Sequence, residues 1–182
     1  DPVSHLPGRV EFQARLKHSL TAARDKRQPL ALALINPDDF GLINHRLGRE
    51  KGDLALRELA QQLQTNLRKS DTLFRYGGAV FGMIMQAISE HEANIAAERL
   101  RLSMSQQALL NGAVRVTFSI GVAVYGKDEW KCRQTDVTEM MRRADQALNA
   151  AKLSGGSCTT FWEPGGLASV VENLDRLNGI FT

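Results

Sequence analysis

Residues 68–81 read RKSDTLFRYGGAVF and have the pattern of a β-hairpin. Strand-forming residues lie on both sides of a turn made by Gly77 and Gly78. Glycine tolerates positive φ and leaves space for a ligand beside the backbone. Ala79 and Val80, which carry no charge, follow the turn directly. We therefore expect a hairpin whose tip is open to a ligand and has no acidic side chain after its glycines.

The composition is that of a soluble globular domain. The chain has 182 residues, of which 43% are hydrophobic and 24% charged, which suits one domain with a sizeable core. The net charge is only +3 and the basic residues are scattered, so we expect no nucleic-acid partner.

The cellular setting is predicted from what the sequence contains. No apolar run approaches membrane-span length, and Cys132 and Cys158 lack the spacing of a disulfide framework. These features predict a reduced, cytoplasmic setting, which includes the cytoplasmic part of a membrane-bound protein. The first residue is Asp1 rather than methionine, so we expect a segment of a longer protein with membrane-bound or sensory parts elsewhere.

Helical and extended segments alternate along the rest of the chain. Apolar residues at a helical period predict helices over 3–26, 50–67, 90–104 and 138–152, with a short one over 170–181. Apolar or β-branched runs predict strands over 30–35, 114–125 with an interruption at Gly121, and 159–162. The residues expected to face the core are Val10, Phe12, Leu16 and Leu20 in the first helix, Leu54, Leu56, Leu59, Leu63 and Leu67 in the second, and Ile95, Leu100 and Leu102 in the third.

This alternation predicts the fold class and the domain limits. Helices between strands predict an α+β sandwich of ferredoxin-like type, with a mainly antiparallel sheet surrounded by helices. Pro164-Gly165-Gly166 predicts a linker. We expect one domain over 1–163, and over 164–182 a linker or C-terminal helix that leads to a downstream domain.

Five segments resemble, in order, the motifs of the diguanylate cyclase (GGDEF) family. The signature Gly-Gly-(Asp/Glu)-Glu-Phe corresponds to GGAVF at 77–81. The other four are DPVSHLPGR at 1–9, NPDDFGLIN at 36–44 with Gly48 and Gly52-Asp53 after it, VTFSIGVA at 116–123, and ADQALNAAK at 144–152. The resemblance covers residues 1 to about 162 and implies a polymerase-palm-like sheet.

The resemblance also implies a chemistry from which this chain departs. The family condenses two GTP into cyclic di-GMP, a phosphoryl transfer that uses Mg²⁺ held by carboxylates. The family's first metal-binding Asp is Asn36 here, its signature acidic pair is Ala79-Val80, a phosphate-facing lysine is Gly41, and an arginine is Gly156. We expect no cyclase activity.

We also expect no resident cofactor. Asp38 keeps its carboxylate. One carboxylate rarely holds Mg²⁺ in a nucleotide site, so we expect Mg²⁺ not to bind well.

Residues that match nucleotide-reading positions remain. Asn44 and Asp53 match the family's guanine-recognising pair, and Lys152 matches a triphosphate-contacting lysine. Gly77 and Gly78 belong to the same possible GTP-binding set. An amide and a carboxylate can satisfy the guanine edge. The alternative is structural: Asn44 caps a turn, Asp53 favours a helix start and Lys152 is a solvated cation.

Arg68 and Asp71 match the family's inhibitory (I) site, an Arg-x-x-Asp motif placed five residues before the signature glycines. Arg99 matches the secondary arginine of that site. An arginine fork suits guanine O6 and N7, and a carboxylate accepts from the other guanine edge. The alternative is that Arg68 ends a helix and Asp71 begins a turn.

Three functions follow from these matches. The first is an inactive domain that binds cyclic di-GMP at Arg68, Asp71 and Arg99. The second is a GTP-binding domain that regulates an attached cyclic di-GMP phosphodiesterase (EAL) domain. The third is a dimerisation or docking module without a nucleotide. A homodimer is compatible with each, and the sequence does not decide among them.

Overall fold

A mainly antiparallel sheet lies at the centre of the computed structural model, which describes residues 1–126, 129 and 135–164. The strands within these residues are β1 (Leu30–Pro37), β2 (Thr72–Gly77), β3 (Val80–Gln86), β4 (Ala108–Leu109), β5 (Val114–Arg115), β6 (Phe118–Tyr125) and β7 (Thr159–Phe161). Five of them form the sheet in the order β2-β3-β1-β6-β7. Only the pairing of β6 with β7 is parallel, and β4 pairs with β5 in a separate small ladder.

Helices cover both faces of this sheet. They are α1 (Arg9–Lys26), α2 (Phe40–Leu47), α3 (Arg49–Thr65), α4 (Glu90–Gln106) and α5 (Val137–Leu153). Residues of α1 and α5 pack in one core cluster, and residues of α2, α3 and α4 pack in the other. The predicted α+β class, with a mainly antiparallel sheet surrounded by helices, is confirmed.

Strand β1 lies between the two cores. Its side chains alternate as a strand requires: Leu30, Leu32 and Leu34 join the α1/α5 cluster, while Ala31, Ala33 and Ile35 join the other. Antiparallel neighbours on both sides, β3 and β6, hold it in the middle of the sheet. The prediction of a strand buried on both faces is therefore confirmed.

The predicted buried face of α4 is wrong. Ile95 and Leu102 are 53% and 51% exposed, and of the three residues expected inside only Leu100 is buried. The helix packs through a different face, formed by Ala93, Ala96, Ala97, Leu100 and Met104. Alanine lets a helix lie close to the sheet, and this small-residue face leaves the larger Ile95 and Leu102 on the opposite side.

Two further core assignments and two boundaries differ from the prediction. Val10 and Leu54 are exposed rather than buried. Helix α1 begins at Arg9, after Gly8, rather than at residue 3. Helix α3 ends at Thr65, so Arg68 lies beyond the helix rather than at its end.

The expected strand interruption at Gly121 is also wrong. Strand β6 runs without a break through Gly121, and the break lies at Val116 and Thr117 instead. A Cβ on Gly121 would lie 2.0 Å from the backbone nitrogen of Leu148 in α5. Glycine is required there because helix α5 lies against the strand at backbone distance.

Some predictions fall on residues that the structure does not describe. They are the helix over 170–181, the Gly165-Gly166 part of the linker, and Cys132. Among the described helices, none has the length and apolar character needed to cross a lipid bilayer.

Candidate functional site

The hairpin tip forms one wall of an open cleft of about 790 Å³. Gly78 and Ala79 line it together with the loop after β1, the start of α2 and the end of α5. Gly77 and Gly78 have φ values of +149° and +57°, which an L-residue with a side chain rarely adopts. The two-glycine turn predicted from the sequence is thus present; Gly78 lines the cleft, whereas Gly77 is not among its lining residues.

Asp38 is held by donors of the protein itself. The hydroxyls of Thr117 and Ser119 donate to Oδ2 and Oδ1, each at 2.6 Å, and the backbone amide of Ser157 donates to Oδ2 at 2.9 Å. These bonds join the end of β1 to β6 and to the loop after α5. Nearby, the Nδ2 of Asn36 donates to the Pro37 carbonyl at 2.9 Å, so it faces an acceptor of the chain.

The position of the Asp38 carboxyl group also leaves little space for a side chain at residue 156. A Cβ on Gly156, which has φ of +74°, would lie 3.2 Å from the Asp38 carboxyl group. Within residues 1–126, 129 and 135–164, no group of three or more His, Cys, Asp or Glu side chains has the geometry of a metal site. Sequence reasoning missed Thr117 and Ser119, whose contact with Asp38 depends on the pairing of β1 with β6. It also missed Ser157, which reaches Asp38 from the loop after α5.

The two candidate guanine-reading residues line the same cleft. Asn44 is exposed on α2, and Asp53 is half-buried on α3. The Asn44 side chain lies directly over Gly52, the neighbour of Asp53 in sequence. Lys152, exposed near the end of α5, also lines the cleft, so the structure brings all three predicted residues to one place.

Arg75 is a cleft residue that sequence reasoning missed. It is only 8% exposed, and its guanidinium carbon lies 5.3 Å from the centre of the Phe81 ring. Its Nε and Nη1 atoms are buried and have no hydrogen-bond partner among the described residues. Burial lowers the pKa of Arg75, and the charge of Asp53 opposes that effect. The alternation of side chains along β2 could have predicted this burial, because Arg75 lies on the same face of the strand as the buried Leu73.

A second candidate site lies at the opposite end of β2, roughly 20 Å from the hairpin tip at the usual rise of a strand. The backbone amide of Arg68 donates to Asp71 Oδ2 at 3.3 Å, and the Asp71 amide donates to the Arg68 carbonyl at 3.1 Å. Ser70 Oγ also donates to Asp71 Oδ1, at 3.3 Å. These bonds fix the Asp71 carboxylate in a tight turn while the Arg68 side chain stays exposed.

Arg99 approaches this turn from α4. Burial raises the pKa of Asp71, and hydrogen bonds and the charges of Arg68 and Arg99 oppose that rise. Ser103 Oγ donates to Asn66 Oδ1 at 3.0 Å, which ties α4 to the end of α3 one turn beyond Arg99. Arg68 and Asp71 are thus joined directly by hydrogen bonds, and Arg99 acts on Asp71 through its charge.

Comparisons with known proteins agree with this architecture. The sequence matches the family described as "Diguanylate cyclase, GGDEF domain" over residues 1–158. The bifunctional diguanylate cyclase/cyclic di-GMP phosphodiesterase MucR of Pseudomonas aeruginosa is 33% identical over 182 residues, which are 99% of this chain and 26% of MucR. The chain thus spans about a quarter of that relative.

Solved structures share the fold over most of the chain. The GGDEF domain of TpbB (YfiN) from Pseudomonas aeruginosa is 30% identical with a TM-score of 0.82, covering 93% of this chain and 98% of that one. The GGDEF domain of DgcB from Caulobacter crescentus, solved in complex with c-di-GMP, is 25% identical with a TM-score of 0.80, covering 90% and 93%. From the family match and these shared structures it follows that the chain belongs to the diguanylate cyclase GGDEF domain family.

Proposed function

We propose that this GGDEF domain makes no cyclic di-GMP and instead binds it at the surface formed by Arg68, Asp71 and Arg99. The observation that carries the proposal is the turn in which Arg68 and Asp71 bond to each other, with the charge of Arg99 reaching Asp71. Inactivity and ligand binding rest on different residues, so each is argued and tested separately.

Inactivity is inferred from the donors that line the cleft. Phosphoryl transfer to a nucleotide hydroxyl depends on cations that neutralise the reacting phosphates, and Mg²⁺ needs carboxylate oxygens to bind. Both oxygens of Asp38 already accept hydrogen bonds from the chain, and Asn36, Ala79 and Val80 bring no charge. These residues do not fit a magnesium ion, and we propose that none binds here with useful affinity.

Cyclic di-GMP binding is inferred from the complementarity of the second site. The exposed guanidinium group of Arg68 can donate two hydrogen bonds, to guanine O6 and N7. The carboxylate of Asp71, held by the Arg68 backbone amide, can accept from the guanine N1–H and N2 amino groups. Arg99 supplies a second cation for the other half of the ligand or its phosphates. The DgcB domain, solved with this ligand, supports the ligand class.

The experiment is a calorimetric titration of the purified chain with cyclic di-GMP, run beside a product assay with GTP and Mg²⁺ or Mn²⁺. We expect heat on titration with cyclic di-GMP and no product above a no-protein control. An absence of both heat and a melting shift at high micromolar ligand would reject the receptor function and favour the docking module. Light scattering during the titration would report whether the ligand joins two chains into a homodimer.

A second candidate function is a guanine-nucleotide-binding domain that regulates an attached phosphodiesterase (EAL) domain. The observation that favours it is the shared placement of Asn44, Asp53 and Lys152 in one cleft. The naming of MucR as both cyclase and cyclic di-GMP phosphodiesterase supports such an attachment. GTP titration of the same chain tests this function independently of cyclic di-GMP.

A further inference from the structure

We propose that residues 155–162, which form the turn after α5, strand β7 and Trp162, are a detachable edge segment of the sheet, and that Asp38 couples its docking to the cleft. The ligand that acts through this coupling is the guanine nucleotide of the second candidate function, on which that part of the inference rests. Docking itself is a property of the ligand-free chain and is tested without a nucleotide.

Strand β7 is weakly held by the sheet itself. It has three residues, lies at one edge of the sheet and pairs only with β6, in parallel. All three of its residues are only partly buried. Short segments with little buried surface are the ones that open locally while the rest of a protein stays folded. Further contacts are therefore needed to keep β7 docked.

The turn that leads into β7 has a backbone conformation that needs support. Gly155, Gly156 and Ser157 have successive φ values of +102°, +74° and +52°. Glycine adopts such values freely, whereas serine adopts them at an energetic cost. A conformation of this kind persists where surrounding contacts enforce it.

Two side chains from distant parts of the chain supply these contacts. The backbone amide of Ser157 donates to Asp38 Oδ2 at 2.9 Å, and the Ser157 carbonyl accepts from Arg101 Nη1 at 2.8 Å. Arg101 is fixed in turn by Glu98 on α4, whose carboxylate accepts from Nε at 3.0 Å and from Nη2 at 2.8 Å. Hydrogen bonds to charged groups are the stronger ones. Asp38 and Arg101 thus hold the turn from two sides.

The far end of the segment is held by contacts with β6 and α5. The backbone amide of Trp162 donates to the Val122 carbonyl at 2.8 Å, and its Nε1 donates to Gln146 Oε1 at 3.0 Å. The guanidinium carbon of Arg143 lies 4.2 Å from the centre of the indole ring, within the range of a cation–π contact. The indole therefore reports whether the segment is docked. The predicted linker at 164–166 follows two residues later, so docking also sets where that linker begins.

Asp38 connects the docking of this segment to the cleft. Its side chain lines the cleft together with Gly155 and Gly156 of the turn, whereas Arg101 is not among the lining residues. A ligand in the cleft lies against both Asp38 and the turn that Asp38 holds, so it favours the docked state. By linkage, docking then favours the ligand to the same extent. Arg101 acts on the turn from outside the cleft, which separates docking from direct contact with the ligand.

The first experiment is hydrogen exchange, measured by mass spectrometry on the ligand-free 182-residue chain. Asp38→Asn and Arg101→Met should each raise the exchange rate within residues 155–162 by about tenfold or more, because each loses a hydrogen bond to a charged group. Amides of β1 and β3 should exchange as in the unmodified chain. Unchanged exchange in both variants, or an equal rise in β1 and β3, would overturn the detachable segment. If Asp38→Asn does not fold, Arg101→Met decides by the same criterion.

The matched controls are Lys152→Ala and Arg99→Met. The first removes a cation that lines the cleft beside the turn, and the second makes the Arg101 substitution two residues earlier on α4. Neither removes the bonds that Ser157 makes with Asp38 and Arg101, so both should leave exchange within 155–162 nearly unchanged. A rise in the controls equal to that in the two test variants would overturn the role of these bonds.

Trp162 provides a second, optical measurement. The chain has two tryptophans, so Trp130→Phe leaves Trp162 as the single emitter. In this background Asp38→Asn and Arg101→Met should increase quenching of the fluorescence by acrylamide, because release of β7 exposes the indole. Equal quenching with and without these substitutions would show that the far end stays docked and would contradict the proposal.

The last experiment adds GTP to the exchange measurement and tests the coupling. Saturating GTP should slow exchange within 155–162 by roughly threefold or more in the unmodified chain, because a ligand that favours the docked state stabilises it. GTP that binds by calorimetry but leaves this exchange unchanged would refute the coupling. An absence of GTP binding would refute the second candidate function and the coupling with it, whereas the detachable segment stands or falls on the ligand-free measurements.

Discussion

The side chain of Asn44 lies on Gly52, so closely that a Cβ added at residue 52 would stand 1.7 Å from Asn44 Oδ1. Because Gly52 on α3 has no side chain, the Asn44 amide on α2 can occupy this position. Asp53, the next residue after Gly52, lines the same cleft as Asn44.

Gly52→Ala should consequently displace Asn44 and weaken GTP binding about as much as Asn44→Ala does. The unpaired guanine edge left behind costs about 1–3 kcal/mol. The helix should remain folded, because alanine is favoured over glycine within a helix and the clash is with the end of a flexible side chain. Calorimetry with GTP measures the loss, and circular dichroism monitors the fold.

The contribution of base contacts to GTP affinity can be compared directly with that of phosphate contacts at the cleft rim. Asn44→Ala or Asp53→Ala should weaken GTP more than Lys152→Ala, since Lys152 is an exposed point charge. Equal losses in the three variants, or a loss confined to Lys152→Ala, would show that phosphate contacts at the rim contribute as much as the base or more.

The product assay should detect no cyclic di-GMP. The substitutions Asn36→Asp, Ala79→Glu and Val80→Glu together restore carboxylates, but we expect them to fail because Gly41 and Gly156 still lack the family's basic side chains. Mass spectrometry of the nucleotides after incubation with GTP and Mg²⁺ is the measurement, with an active cyclase as positive control. Product from the unmodified chain would contradict the inactive assignment.

Gly121→Ala tests the close approach of α5 to β6. The new Cβ would meet the backbone of Leu148 at 2.0 Å, and a backbone cannot rotate away as a side chain can. We expect a loss of about 3 kcal/mol or more in the free energy of unfolding. Gly126→Ala is the matched control, since no described atom lies within 4 Å of its Cβ position, and it should change stability by about 0.5 kcal/mol or less. Chemical denaturation measures both.

The fold was predictable because its signals are local. The hairpin around Gly77-Gly78 and the fully apolar run of β1 need no knowledge of the rest of the chain. The proximity of Arg68 and Asp71 is local as well, because a three-residue spacing closes one turn, although Arg68 lies beyond α3 and not at the end of the helix as expected.

The features that sequence reasoning missed depend on contacts between distant segments. The hydroxyls of Ser119 in β6 and of Thr117 just before it reach Asp38 because β1 and β6 pair. Arg75 is buried because its face of the strand is covered. The buried face of α4 was misassigned because side-chain size was taken as the sign of burial, whereas the helix packs through alanines.

Cyclic di-GMP binding should weaken on acidification, and the effect should begin at a higher pH than for an ordinary carboxyl group. Asp71 accepts from guanine only when ionised, and burial raises its pKa above the usual 3.8. Protonation, and with it the loss of affinity, therefore sets in earlier as the pH falls. Removing the opposing charge with Arg99→Ala should move the onset higher still. Calorimetry over a pH series measures this, and a pH profile that Asp71→Asn leaves unchanged would contradict it.

The sharpest test of the receptor function compares two neighbouring cations, Arg68 and Lys69. Both are exposed in the turn after α3, but only Arg68 bonds through its backbone to Asp71. A bidentate arginine–guanine contact contributes about 1–3 kcal/mol of discrimination, so Arg68→Ala should reduce cyclic di-GMP affinity roughly tenfold or more and relax the preference for guanine over adenine.

Lys69→Ala changes the net charge by the same amount but leaves the Arg68 guanidinium in place. It should therefore leave the affinity for cyclic di-GMP nearly unchanged. Arg68→Lys should recover little, because lysine has no planar pair of donors. Calorimetry with cyclic di-GMP and cyclic di-AMP on the three variants gives both affinity and selectivity. Equal losses in Arg68→Ala and Lys69→Ala would mean that the surface attracts the ligand by charge alone and does not read its base.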